Sequence, residues 1–546
     1  MEDCHIIKRN HMQGLNVFSL LLITAGSSIP NPGCGQVGQE SKPNILFCIA
    51  DDATWMHMGA YGCRWVKTPN FDRVAKNGLL FTHAYTPNAK CAPSRASILT
   101  GRNSWQLEAA ANHNCYFPSH FKTIAEALHE GGYQVGYTGK GWAPGDPGEI
   151  DGKKRDLLVK RYNGKTCVPP TFGISNVDYA ANFEQFLNDR KPGKPFFFWY
   201  GGLEPHRKYE YGSGIKKGDK SLGQIDSVFS IWPDVDSVRT DLLDYAYEIE
   251  YFDKHLGEIL KLLERTGELD NTLVLVTADN GMPFPRIKGQ EYEYSNHLPL
   301  AVMWGKGIKY PGRVIDDYIS FIDFAATFAA VSGVDVYRHG MSPIEGQSMT
   351  DIFRSSKSGQ IDPGRNSVLL GKERHDVGRP HDQGYPVRGI IRDGFLYLRN
   401  FKPERWPAGN PETGYTNTDG SPTKSYILNL RRSGEDCRYW KLNFGLRPEE
   451  ELYDLGKDPD CVSNLADKPA FLTVKKQLQD RMYKELVRQG DPRILGNGDI
   501  FDNYPPSINA NLYERFIRGE KVNTGWISDS DFEKDTVFCG VSGIDP

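Results

Sequence analysis

KPNILFCIADD, Lys42–Asp52, decides the architecture: a run over Asn44–Ala50, apolar after its first residue, ends abruptly in two acids. A strand this apolar, with no polar alternation, belongs at the centre of a sheet covered on both faces. Helix patterns and strand-like runs then alternate through FDRVAKNGLLF, FKTIAEALHEGGYQVGYTGK, YAANFEQFLNDRKPGKPFFFWYGG and YEIEYFDKHLGEILKLLERTGELDNTLVLVTADNG. In the last three a helix pattern passes through a Gly or Pro break into a strand, the mark of crossover units on a mainly parallel sheet. The expected class is α/β.

The ends of the expected strands carry polar residues. Asp51 and Asp52 close the first, Lys140 follows YQVGYTG, His206 follows PFFFWYGGLEP, and Asp279 and Asn280 follow TLVLVTA. Open α/β sheets bind ligands beyond the carboxyl ends of their strands, so these groups are expected to converge on one crevice.

The texture changes after about Tyr385. YPVRGIIRDGFLYLRNF alternates and turns at Asp393-Gly394, and EEELYDLGKDPDCVSNLA leads into the helix pattern AFLTVKKQLQDRMYKELVRQG. With 546 residues, too many for one ordinary core, the reading is a leader over 1–40, a catalytic domain over 41–384 and a smaller C-terminal domain of antiparallel sheet plus helix over 385–546.

Apolar residues at 39% and aromatics at 12% fit a folded protein rather than a disordered one. A net charge of -4 gives no overall bias toward nucleic acid or anionic membrane, so any anion specificity is local. The ten cysteines form no C-x-x-C pair, which excludes zinc-ribbon and thioredoxin readings. Near the N-terminus, Lys8, Arg9 and His11 precede the apolar run Val17–Gly26, too short to span a bilayer and suited to a secretory signal; Gly33-Cys34 weakly matches a lipoprotein cleavage site. The expectation is export, to a periplasm, a cell surface as lipoprotein, or the medium, with no later transmembrane helix.

Asp51, Asp52, Asp279 and Asn280 offer only oxygen donors, which match a hard cation such as Ca²⁺ or Mg²⁺; each pair taken alone also suits a helix cap. In PNAKCAPSRASILTGR, Pro87–Arg102, Cys91 reads as a thiol nucleophile, a disulfide half or a buried apolar residue. A cysteine phosphatase requires Arg six residues after its nucleophile, and Ser97 stands there. With Pro93 opening a helix, Cys91 lies beside an anion-favouring N-terminus and Arg95 about one turn on.

CAPSRASILTGR, with NILFCIADD before it and TADNG after it, resembles the full signature of the sulfatase family, Cys-x-Pro-Ser-Arg-x-x-x-x-Thr-Gly-Arg. The resemblance runs from about Pro43 to about Arg493, and DNGMPFP, HDQGYPVRGII and EEELYDLGKDPDCVSNLA look similar to the heparan N-sulfatase branch. It implies an alkaline-phosphatase-like sandwich with a large mixed, mainly parallel central sheet. It also implies conversion of Cys91 to formylglycine by a maturation enzyme, a transient partner. Asp51, Asp52, Asp279 and Asn280, completed by the modified Cys91, match the family's Ca²⁺ ligands, with Mg²⁺ a further option. Arg95, Lys140 and Lys288 match its sulfate-binding cations and His206 its leaving-group acid. The implied activity is hydrolysis of a sulfate ester or sulfamate on a sulfated saccharide, with heparin-type glucosamine leading and another sulfated glycan second. A two-metal phosphatase or phosphodiesterase wants Asp-His where Asp279-Asn280 stands, and a Thr or Ser where Cys91 stands.

Two positions depart from the family pattern. Trp142, in GKGW, occupies the place of a histidine that helps release sulfate, leaving another base such as His113 to do so. Lys288 replaces an arginine of the N-sulfatase branch, keeping charge and losing bidentate geometry. Further substrate-binding positions are Arg286 and, in GKERHDVGRPHDQ, His375, Arg379 and His381; that segment reads either as a solvated charged loop or as a carbohydrate-recognition edge.

Overall fold

The computed structural model describes residues 42–150, 152–522 and 524–533, so the expected leader lies outside the described residues. Seven strands form the central sheet: β1 (Asn44–Ala50), β2 (Leu79–Phe81), β3 (Gln134–Gly139), β4 (Phe196–Gly201), β5 (Thr272–Ala278), β6 (Leu300–Met303) and β7 (Arg313–Ile315). Their order is β7-β2-β6-β5-β1-β4-β3. Only β6 runs against its neighbours, making the sheet mixed and mainly parallel.

Every residue of β1 is buried. Leu46, Cys48 and Ala50 face a core built with helices α1 (Pro69–Lys76), α3 (Tyr179–Asn188) and α4 (Asp236–Arg265), while Ile45, Phe47 and Ile49 face a second core containing Ile98 and Leu99 of α2 (Cys91–Thr100). Two-sided burial explains why the strand shows no alternation.

Adjacent parallel strands β5, β1, β4 and β3 are those whose carboxyl ends carry Asp279-Asn280, Asp51-Asp52, His206 and Lys140. The register pairs Ala50 with Ala278, Ile49 with Gly201 and Gly139 with Gly201, so the strands end level. The polar residues after them therefore share one rim.

A second sheet, antiparallel throughout, contains β8 (Ser367–Lys372), β9 (Val387–Arg392), β10 (Phe395–Asn400) and β11 (Glu450–Asp454) in that order. The β9–β10 hairpin turns at Asp393-Gly394, where both residues take positive φ, 51° and 76°. Helix α5 (Pro422–Ser433) is capped by Ser421, and α6 (Leu472–Arg488) buries Leu478, Met482 and Leu486 at helical spacing. No helix among the described residues is long and apolar enough to cross a membrane.

Candidate active site

Helix α2 begins at Cys91 itself, with Lys90 in the N-cap position, two residues earlier than a Pro93 start. Pro93 sits inside the first turn, where a missing N–H costs nothing because the first amides have no intrahelical partner. Cys91 is 1% exposed, and its Sγ lies 3.4 Å from Asp51 Oδ1 and 3.8 Å from Asp52 Oδ1. Donor atoms of Asp51, Asp52, Cys91 and Asp279 all fall within 4.8 Å of one another.

Three buried cations hold these acids. Arg95 donates from Nε to Asp279 Oδ2 at 2.8 Å and from Nη1 to the Lys140 and Gly141 carbonyls, with Nη2 3.4 Å from Asp51; it ties three strand ends together. Lys140 Nζ donates to both oxygens of Asp51, at 2.6 and 2.8 Å. Lys288 Nζ bridges Asp52 at 2.7 Å and Asp419 at 2.8 Å. Asp52 takes φ 74°, a left-handed conformation uncommon for a non-glycine residue, while its amide donates to Asp279 Oδ1.

His206 Nε2 lies 3.8 Å from Asp52, and Nδ1 is 2.7 Å from the Arg207 carbonyl, which fixes Nδ1 as the donor and turns Nε2 toward the site. Its side chain, 34% exposed, is the most open of the cluster. Asn280 donates to Asp52 Oδ1 at 2.7 Å, but its own Oδ1 is buried without a partner. A buried acceptor with nothing to accept from, among three carboxylates, is the donor geometry of a cation site.

Burial, then the Asp279 and Asp51 carboxylates, push the Cys91 thiol well above its ordinary value, so an unmodified Cys91 is a poor thiolate nucleophile. Burial alone would raise Asp51, yet Lys140 and Arg95 hold it well below the usual carboxylate range. Lys288 stays charged because Asp419 and Asp52 outweigh its burial.

Other sequence-singled residues sit at varying distances from this cluster. Trp142 Nε1 donates to the Ala92 carbonyl at 3.0 Å and packs edge-on to Phe117, sealing the first turn of α2. His113 Nδ1 contacts Asp376 at 3.0 Å, and Asp376 also holds Lys90 at 2.6 Å, linking His113 to the residue before Cys91; His113 Nε2 is buried and unpartnered. Burial lowers His113 to about 4. His375 is buried between Asn88 and the Gly289 carbonyl. Arg286 is not brought into the cluster: it donates to the Leu442 and Cys461 carbonyls under Tyr292. Arg379 binds the Trp406 and Pro407 carbonyls, and His381 is exposed beside Glu514.

The segment Gly371–Gln383 is therefore no solvated loop; all but Pro380, His381 and Gln383 in its latter part are buried, with Glu373 paired to Arg388 and Arg493. Sequence reasoning missed Lys90, Asp376 and Asp419. Lys90 adjoins the signature, a signal that was there to use; Asp419 lies in TNTDGSPT, where only the tertiary fold gives it meaning.

The fold and the cluster define a hydrolase of the alkaline-phosphatase-like class. The chain belongs to the sulfatase family, whose model matches residues 43–334, and is a sulfuric ester hydrolase. It is 28% identical to an ulvan-active sulfatase of Formosa agariphila over 83% of this chain and 81% of that protein. It is 26% identical to human N-sulphoglucosamine sulphohydrolase over 84% and 93%. A solved structure in complex with its substrate D-glucosamine-2-N,6-O-disulfate superposes with TM-score 0.59 at 20% identity, covering 82% of this chain and 98% of that one. A phosphonate monoester hydrolase of Agrobacterium radiobacter shares the fold at TM-score 0.55 and 18% identity, over 82% and 96%.

Proposed function

We propose that this sulfatase cleaves sulfate from a sulfated sugar, with Cys91 as the precursor of formylglycine. The carrying observation is the convergence of Cys91, Arg95, Lys140, His206 and Lys288 on the carboxylates at the ends of β1 and β5, Asp51, Asp52 and Asp279. Asp51, Asp52, Asp279 and Asn280, with position 91, would hold Ca²⁺; Mg²⁺ fits the same oxygen chemistry. The ion would acidify the oxygen carried at position 91. Formylglycine supplies, as its hydrate, one hydroxyl to attack sulfur and a second whose deprotonation expels sulfate and restores the aldehyde.

Arg95, Lys140 and Lys288 neutralise charge growing on the sulfuryl oxygens. Acting as an imidazolium whose Nδ1–H stays on the Arg207 carbonyl, His206 gives its Nε2 proton to the leaving oxygen or nitrogen of the sugar and is left as the neutral Nδ1–H ring. With Trp142 packed on the helix, the base for sulfate release falls to His113, whose Nδ1 is fixed by Asp376 and whose Nε2 is free. Glucosamine of the heparin type is the leading substrate, on the likeness to the human N-sulphoglucosamine sulphohydrolase. The second reading, an O-sulfatase on another glycan, is favoured by Lys288, which lacks an arginine's fork, and by the likeness to the ulvan-active enzyme. Export accords with the disulfide at Cys437.

The test pairs peptide mass analysis of Cys91, after expression with a maturation enzyme, with sulfate release from a panel of N-, 2-O-, 3-O-, 4-O- and 6-O-sulfated mono- and disaccharides. Aldehyde or hydrate at 91 and release from an N- or 6-O-sulfated glucosamine are expected. An intact thiol with undiminished activity would overturn the mechanism, and release confined to non-glucosamine sugars would select the second reading.

A further inference from the structure

On the α4 side of the molecule, a cavity of about 420 Å³ is lined by one stripe of α4 and by the segment that precedes α3. From α4 come Tyr247, Tyr251, Lys254, His255 and Glu258, at the three-to-four-residue spacing of one helix face. From the other wall come Cys167 and Asp178. None of these residues belongs to the catalytic cluster.

His255 is 3% exposed, yet neither ring nitrogen makes a hydrogen bond. Glu258 Oε2 lies 3.3 Å from Nδ1 without the alignment of one. The ring is set edge-on against Tyr179, centroids 5.1 Å apart, and against Tyr251, at 4.8 Å. A buried imidazole ordinarily finds a partner for at least one nitrogen. Asp178 uses Oδ1 to cap α3 through the Ala181 amide, which leaves its second oxygen available. Ligand atoms of Asp178, His255 and Glu258 lie within 4.8 Å of one another.

We propose that Asp178, His255 and Glu258 form a second metal site, separate from the catalytic one, that takes Zn²⁺ or a similar borderline divalent cation. One imidazole and two carboxylates suit such an ion better than Ca²⁺, which prefers oxygen alone. Tetrahedral zinc places its donors about 3.3 Å apart, the separation already present between His255 and Glu258. The cavity has room for a water as fourth ligand. Since Asp178 stands on one wall and the other two ligands on α4, the ion would pin the 167–178 segment to the helix.

The experiment is equilibrium dialysis of the full chain with Zn²⁺ in saturating Ca²⁺, which occupies the catalytic oxygens, together with visible absorption after Co²⁺ substitution. One bound equivalent is expected, weakened about 100-fold or more in His255→Gln. Glu258→Gln, on a half-exposed side chain, and Asp178→Asn, which keeps the helix cap, are expected to lose it too while sulfatase turnover stays unchanged. No Zn²⁺ bound in the presence of Ca²⁺, or equal binding in the wild type and all three variants, would overturn the site.

Discussion

Two buried charge networks in this molecule have opposite character. Under the second sheet, Arg388 gives Nε and Nη2 to Asp491, Nη2 also to Glu373, and Nη1 to the Lys372 and Val387 carbonyls; Arg493 grips both oxygens of Glu373. Two cations meet two carboxylates and the Arg388 donors are all used. At the rim of the central sheet, Arg95, Lys140 and Lys288 face Asp51, Asp52, Asp279 and Asp419, and the Asn280 acceptor is left over. Burial and the neighbouring Asp51 charge raise Asp279 above its ordinary value. A closed network holds the fold together; an unbalanced one keeps acceptors to spare, as the proposed cation site requires.

The largest test separates the two by what each loses. Cys91→Ala is expected to cut sulfate release by about ten-thousand-fold or more while leaving the thermal melt almost unmoved. Arg388→Ala should do the reverse first: removing one partner strands Glu373 and Asp491 as buried charges, at about 3–5 kcal/mol of stability. A Cys91→Ala chain that melts far below the wild type, or an Arg388→Ala chain of full stability, would erase the distinction.

Next in size is the response to a cation. At a hundred times its dissociation constant, Ca²⁺ should stabilise the wild type by about 2.7 kcal/mol, and Asp279→Asn should lose the effect while keeping an acceptor for Arg95. Chelator-treated protein that melts the same with and without Ca²⁺ would argue that the network is complete as it stands. Asp419→Asn probes the other end. With Lys288 then held by Asp52 alone, kcat/KM should fall about 10- to 100-fold through kcat more than KM if, as proposed, the ammonium serves charge that develops in the transition state. A pure KM effect would make Asp419 a substrate contact instead.

These sites differ in how openly the sequence declared them. The four strand ends were legible because Asp51, Lys140 and Asp279 directly follow their strands and His206 comes a short loop after one, and parallel neighbours of equal register bring such positions together. The start of α2 was misread by two residues because proline is tolerated throughout a first turn, so Pro93 does not mark one position. Asp419 and Asp376 were illegible: their partners Lys288 and Lys90 lie far off in sequence, and neither periodicity nor composition records which loop a fold lays against a strand end. Gly371–Gln383 read equally as a solvated loop or a carbohydrate-recognition edge for the same reason, since Glu373 is neutralised by the distant Arg388 and Arg493 and Asp376 by Lys90.

Neither network governs what acid does at His57, which lies in the core between Trp65, Phe229 and Tyr245. Burial lowers it to about 3, so the folded chain refuses a proton that the unfolded chain binds below about 6.5. Its contribution is present above pH 6.5 and is lost as pH falls toward 3. Replacing it with Phe, which fits the same aromatic surroundings, should flatten the dependence of stability on pH between 4 and 6 by about one proton, or about 1.4 kcal/mol per pH unit. Chemical unfolding at several pH values measures that slope. An unchanged slope would mean that the folded chain takes up the His57 proton as readily as the unfolded chain does.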